Sequence, residues 1–149
     1  MSSQPLLKTF LWFSSNLDEA LNFYKETFVD VVVKEENCND AGNLFTADFS
    51  IYGHDFIAMC HEGGPEFNSS ISLSIQCDGQ RETDRLWSAI TSDGEEGQCG
   101  WCTDKWGVSW QITPVQMRDY LTHSVPEIAQ HNWQALRAMK KIELSQFKS

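Results

Sequence analysis

Positive charge is scarce in this chain. Its 149 residues hold eleven Lys and Arg against twenty-one Asp and Glu, a formal net charge of −10. No basic run is longer than Lys140-Lys141, so the electrostatic footprint of a nucleic-acid binder is missing. Acidity by itself secures solubility and says little about substrate. No apolar run approaches the roughly 20 residues that a membrane-spanning helix needs. The segment Met1 to Phe13 has no basic stretch, and Lys8-Thr9 interrupts its apolar residues. It reads as a first strand and not as a secretory signal. Five cysteines, at 38, 60, 77, 99 and 102, are an odd number without the density of a disulfide scaffold. That usage fits a reduced, cytoplasmic protein. The four histidines, 54, 61, 123 and 131, form no H-x-x-x-H or H-E-x-x-H pair, so no helical zinc motif is present.

What is there suits one globular domain, large enough to bury a core and too small for two independent ones. Hydrophobic residues make up 41% of the chain, with nine Phe, six Trp and three Tyr, which argues against disorder. Leu7 to Phe13 is strand-like. Asn16 is placed to cap a helix, with Glu19 as its capping-box partner. Behind it Leu17, Ala20, Leu21, Tyr24 and Phe28 recur at helical spacing. Val29 to Lys34, Leu44 to Ser50 and Asp55 to Cys60 read as strands, the last two joined by a tight turn at Tyr52 to Asp55. After Gly63-Gly64-Pro65 the pattern repeats. Ser69 to Cys77 alternates with period 2. Gln80 to Thr91 is a helix turning Leu86, Trp87 and Ile90 inward.

The stretch Asp93 to Pro114 is the richest in the chain, with four glycines, three tryptophans and two cysteines. It predicts short strands near Glu96–Thr103 and Val108–Thr113, and Pro114, which has no N–H to give a ladder, ends the second. A helical tail follows: Val115 to Leu121, then a helix begun by Pro126 that carries the apolar Ile128, Trp133, Leu136 and Met139. The expected fold class is α+β: two βαβββ modules, about 5–62 and 67–114, form a curved mixed sheet around a cleft, and a helical tail spans 115–149. A module period of roughly 50–60 residues suggests internal duplication. A concavity between modules is where a small ligand binds.

Several segments stand together in a recognisable order: Phe10-Leu11-Trp12-Phe13, Ala20-Leu21-Asn22-Phe23-Tyr24, Gly63-Gly64-Pro65-Glu66-Phe67, Asp84-Arg85-Leu86-Trp87, Glu95 to Trp101 and Asp104 to Ile112. In them the chain resembles the PhnB-like proteins, many labelled "3-demethylubiquinone-9 3-methyltransferase". These belong to the vicinal-oxygen-chelate superfamily of glyoxalases, bleomycin-resistance proteins and extradiol dioxygenases. The likeness runs from about Leu7 to Leu144. It implies the paired-module fold and a homodimer, and it does not choose a reaction. Methyl transfer is disfavoured, because S-adenosylmethionine is usually held by a glycine-rich strand-to-helix turn. This chain enters its helices through Ser-Ser-Asn and Asp-Gly-Gln.

Superfamily enzymes hold one divalent ion with His and Glu. The matching positions here are Thr9, Ser70 and Gln111, with a fourth near Cys60 or His61 in uncertain register. Thr, Ser and neutral Gln are weak ligands for a transition metal, so no metal and no other cofactor is expected. The resemblance instead points to a ligand-binding face made of Thr9, Ser70, Ser72, Ser109 and Gln111. Period-2 counting sets these opposite Phe10, Trp12, Val108 and Trp110, and Trp101 and Trp106 are available for stacking. The alternative is that Ser and Thr face solvent while the aromatic face packs on helices. His61-Glu62 is a candidate general base and its neighbouring carboxylate, or a solvated loop pair. Cys99-Gly100-Trp101-Cys102 is a C-x-x-C without the helix N-terminus of a thioredoxin-type site, so Cys99 is a weak candidate for thiol chemistry. Expected partners are a small-molecule ligand and a second copy of the chain, with neither nucleic acid nor membrane.

Overall fold

A computed structural model describes residues 3–149. The chain divides into two compact units, the first ending at Glu66 and the second running Phe67–Ser149. In the first unit the order is β1 (Thr9–Phe13), α1 (Leu17–Thr27), β2 (Val31–Cys38), β3 (Leu44–Ile51) and β4 (His54–Cys60). The strands lie in the order β1-β4-β3-β2. β1 and β4 are parallel, and the other pairs are antiparallel.

Helix α1 buries Leu17, Ala20, Leu21 and Tyr24, the stripe read from the sequence, with Phe28 just beyond its end. The sheet meets it with a face of Leu11, Phe13, Ala47, Phe49, Phe56 and Ala58, all buried. Ala47 and Ala58 are register partners, and two methyl side chains side by side leave room for the helix. Phe49 and Phe56, the next pair along, stack at 5.3 Å between ring centroids. Each such ring contributes about 1.5–3 kcal/mol by leaving water. The β3–β4 hairpin turns on Tyr52 and Gly53, both at positive φ, as a two-residue primed turn requires. The capping box does not form. Asn16 adopts the left-handed conformation and its side chain makes no cap hydrogen bond, whereas a capping residue needs extended backbone to reach the first-turn N–H groups.

The second unit repeats the topology. β5 (Leu73–Cys77), α2 (Gln80–Thr91), β6 (Glu95–Glu96), β7 (Trp101–Thr103) and β8 (Ser109–Pro114) give the strand order β5-β8-β7-β6, with β5 and β8 parallel. α2 buries Leu86, Trp87 and Ile90 as expected, against a sheet face that includes Cys102, Trp110 and Ile112. α3 (Met117–Leu121), α4 (Pro126–Arg137) and a short 3-10 turn (Leu144–Gln146) complete the chain. Among the described residues no helix is long and apolar enough to cross a membrane.

Three expectations are corrected here. The alternation from Ser69 does not begin a strand, because Asn68 Oδ1 accepts the Ser70 N–H at 2.9 Å and folds the segment into a turn. Ile71 is 76% exposed in consequence. The expected Glu96–Thr103 strand is two strands, broken by a turn in which the Trp101 N–H bonds to the Gln98 carbonyl. In α4 the buried stripe includes Asn132 instead of Trp133, which is 45% exposed. Asn132 Nδ2 donates to the Tyr120 and Lys148 carbonyls, and its Oδ1 accepts the Lys148 N–H. An amide with those partners ties the tail together in a way that an indole cannot.

Between β7 and β8, Asp104 is only 2% exposed. Its Oδ1 accepts the N–H groups of Trp106 and Val108, and its Oδ2 accepts the Trp110 indole N–H, each at 3.0 Å. One carboxylate thus shapes the loop and orients the buried Trp110. Replacing it leaves several buried donors unsatisfied, each costing about 1–3 kcal/mol. Asp104→Ala is therefore expected to lower unfolding free energy by at least about 3 kcal/mol in urea titrations; a loss under about 1 kcal/mol would contradict this role.

Candidate functional site

In each unit a helix covers one face of the sheet and leaves the residues of opposite parity on the other. On the first sheet that open face comprises Phe10 and Trp12 from β1, Asp55, Ile57 and Met59 from β4, and Thr46, Asp48 and Ser50 from β3, set by register and burial alternation. Phe10 is 56% exposed. Thr9 is on the other side. It shares the face of Leu11 and Phe13, and its hydroxyl lies 2.9 Å from His54 Nε2. Thr9 is opposite Phe10 and Trp12 as period-2 counting expects, but the open side is that of Phe10 and Trp12 and not the expected ligand face of Thr9.

Two lysines reach this face, Lys8 from just before β1 and Lys34 from β2. Lys8 Nζ donates to Asp48 Oδ2 at 2.8 Å, and Lys34 Nζ donates to Asp55 Oδ1 at 2.6 Å. The bond to Asp48 raises the Lys8 pKa above the ordinary lysine value, with Asp55 adding to the attraction. The Lys34 ammonium lowers the Asp55 pKa below the usual carboxylate value. Asp48 Oδ1 is buried and has no hydrogen-bond partner among the described residues. The sequence analysis did not single out these four residues. Signals exist for the first pair alone: Lys8 interrupts an apolar run at the parity of Phe10 and Trp12, and Asp48 is the lone charge within Leu44–Ile51.

At the end of the same sheet lies a cavity of about 660 Å³, whose lining includes Ser14, Ser15, Asn16, Cys60, His61 and Glu62. His61 Nδ1 is 2.9 Å from the Glu62 backbone carbonyl. A carbonyl only accepts, so in neutral His61 the proton is on Nδ1 and the lone pair is on Nε2. The hydrogen bond is to the backbone of Glu62 and does not involve its carboxylate. Trp12 Nε1 donates to the His61 carbonyl at 2.8 Å and fixes the loop to β1.

On the second sheet, Ser109 and Gln111 of β8 share the open face with Trp101 and Thr103 of β7, their register partners. Gln111 Nε2 donates to Ser72 Oγ at 2.8 Å, and Ser109 Oγ donates to the Asn68 carbonyl. Ser109, Trp101, Cys99 and the 95–98 hairpin line a cavity of about 450 Å³. Of the residues expected to bind ligand, the structure brings Trp101 and Ser109 to that cavity and hydrogen-bonds Ser72 to Gln111. Ser70 is in the preceding turn. Trp106 belongs to the Asp104 loop, with Lys105 Nζ 5.8 Å from its ring centroid.

Cys99 and Cys102 have different surroundings. Cys99 has positive φ, and its thiol donates to the Leu136 carbonyl at 3.4 Å. Cys102 is buried on the α2 side of the sheet, where burial, reinforced by the Asp104 charge, pushes its thiol up to about 12.

Among the described residues no group of three or more His, Cys, Asp or Glu is placed to hold a metal ion. Thr9 is on the helix side of its sheet beside His54, Ser70 is in a turn and Gln111 gives its amide to Ser72. This donor set does not fit a transition-metal site.

Two βαβββ units, each with a mixed sheet backed by one helix, define the vicinal-oxygen-chelate class of proteins. The family described as 3-demethylubiquinone-9 3-methyltransferase matches residues 6–113, and the chain belongs to that family. The description names the family and establishes no methyl transfer by this chain. A putative 3-demethylubiquinone-9 3-methyltransferase, the PhnB protein from Bacillus cereus, is 27% identical with a TM-score of 0.68 over 73% of this chain and 98% of its own. Protein PA1353 from Pseudomonas aeruginosa, 19% identical with a TM-score of 0.62, covers 74% of this chain and 98% of its own. The fosfomycin resistance protein FosX from Listeria monocytogenes, solved with Mn(II) and sulfate, is 16% identical with a TM-score of 0.56 over 73% of this chain and 90% of its own. The last two likenesses show the fold alone. No curated protein matches the chain.

The buried Cys102 and the exposed Cys38 differ in a measurable way. Folding raises the Cys102 pKa, so the neutral thiol is favoured until the pH nears 12, and at pH 8 the reactive thiolate is scarce there. Iodoacetamide at pH 8 is expected to label exposed Cys38 within minutes and to leave Cys102 unmodified until denaturant is added. Peptide mapping that finds Cys102 labelled as fast as Cys38 in the folded protein would refute its burial.

Proposed function

We propose that this protein binds a small planar or amphiphilic molecule on the open face of its sheets, without a transition metal. The observation that carries the reading is the first sheet's open face, where solvent-accessible Phe10 lies beside Ile57, Met59 and the Lys8–Asp48 pair. Apolar surface with a few placed polar groups is the usual make-up of a small-molecule site. The polar row of Ser72, Ser109 and Gln111 with Trp101 offers a similar mixture on the second sheet. Assembly as a homodimer and a cytoplasmic setting belong to the same proposal, supported by the family resemblance and by cysteine usage.

Native mass spectrometry of protein purified from its own cells tests the reading. A bound organic molecule that is lost on denaturation is expected. Protein carrying only stoichiometric Zn, Ni, Fe or Mn would overturn it.

A second reading, an acid–base enzyme of lyase or isomerase type, is favoured by His61, whose hydrogen bond leaves Nε2 free to take a proton beside the 660 Å³ cavity. If turnover is found, His61→Ala is expected to reduce kcat at least about 100-fold, the usual contribution of a positioned base. Unchanged kcat would eliminate His61 from the chemistry.

A further inference from the structure

We infer that Lys8 and Asp48 form a recognition pair for the uncharged carbonyl group of a planar, apolar ligand lying along Phe10, Ile57 and Met59. The inference rests on the small-molecule reading above and names the chemistry of that ligand. Phe10, Ile57 and Asp48 are consecutive partners across β1, β4 and β3, so an apolar shelf leads directly to the carboxylate. Lys8 reaches the same carboxylate from the β1 edge. An ammonium has three N–H donors, and Asp48 takes one of them. The others have no partner among the described residues, while the lysine side chain is 23% exposed. The pair therefore offers a donor to a ligand approaching along the shelf.

Charge decides which acceptor suits it. The Lys8 charge is already balanced by Asp48, and Asp55 with its own lysine lies on the same face. An anionic head would meet Asp48, whose second oxygen has no donor to temper it, in a protein of net charge −10. A cationic head would compete with Lys8 for the same carboxylate. A neutral carbonyl oxygen accepts from Lys8 and brings no charge to be desolvated. Asp48 is thus a selectivity device as well as an anchor, because it turns a cationic side chain into a binder of neutral acceptors.

Three naphthalene probes of the same shape test this on the full chain, read by two-dimensional amide NMR and calorimetry. 2-Acetylnaphthalene carries the carbonyl, 2-ethylnaphthalene lacks it, and 2-naphthoate makes it anionic. The ketone is expected to shift the Phe10, Asp48 and Ile57 amide signals and to bind about tenfold more tightly than the ethyl compound, as expected for one hydrogen bond to a charged group. It should also bind more tightly than naphthoate. Lys8→Met should abolish the ketone's advantage, and Asp48→Asn should reverse the order of ketone and naphthoate. If a variant does not fold, the three wild-type affinities decide alone. Equal binding of ketone and ethyl compound, a wild-type preference for naphthoate, shifts centred on other residues, or no shifts with any probe would each overturn the assignment. None of these results touches the co-purification test, whose failure is what removes the small-molecule reading itself.

Discussion

One helix per four-stranded sheet is the constraint on which the rest of this structure depends. A strand points successive side chains to opposite faces, and α1 or α2 buries only one parity. On the first sheet the covered parity is Leu11, Phe13, Phe49, Phe56 and the two alanines; on the second it includes Cys102, Trp110 and Ile112. The other parity is released from the demands of packing on the helix. It can carry lysines, carboxylates, serines and a glutamine that would be costly in the covered layer. Asp48, Ser109 and Gln111 follow from that release, since each belongs to the uncovered set.

The two ion pairs on the first sheet illustrate the difference between stability and placement. Their side chains are between about a quarter and a half exposed, and solvent-screened pairs of that kind add little to folding stability. Lysines just before β1 and in β2 nevertheless fix carboxylates on the central strands, so the positions of the charges are set across the width of the sheet. β2 reaches its lysine through a register shift between Val33 and Glu35. A bulge there changes the side-chain phase and also blunts an edge against further strand pairing. These charges organise a surface more than they stabilise a fold.

Much of the fold was legible because its signals were local. The α1 and α2 stripes, the two-residue β3–β4 turn and Pro126 at the start of α4 each follow from spacing or backbone chemistry within a few residues. The misreadings came from interactions that spacing does not encode. Asn68 diverts Ser69–Ser72 into a turn despite flawless alternation, and Asn132 takes the buried place that hydropathy gives to Trp133, because it has three backbone partners. The misread open side of β1 has the same origin. Phe10 and Trp12 are larger than Leu11 and more hydrophobic than Thr9, so size and hydropathy put them inside. Burial in β1 is decided by the parity that meets α1. The Lys8–Asp48 pair spans forty residues of sequence, and only the β1-β4-β3 order makes it visible.

The segment richest in unusual residues proves to be mainly structural, which bears on where function should be sought. Asp104 organises the β7–β8 loop. At the other end of β7, the Cys99-Gly100 turn anchors the tail: their N–H groups bond to the Met139 and Lys140 carbonyls, and the Gly100 carbonyl accepts the Ile112 N–H. Gly100 has φ +84, and a Cβ there would come within 2.9 Å of the Ile112 carbonyl oxygen. Glycine is therefore needed for conformation and for space. The Cys99 thiol joins the same anchor through Leu136, next to a buried cluster of Leu121, Leu136, Met139, Ile142 and Phe147. A cysteine held in this way has its position explained by the tail, and a Cys102 thiol facing α2 has its position explained by the core. The C-x-x-C spacing then needs no redox chemistry to account for it. The search for ligand chemistry is better directed to side chains whose placement the packing does not require, of which Lys8 and Asp48 are the clearest pair.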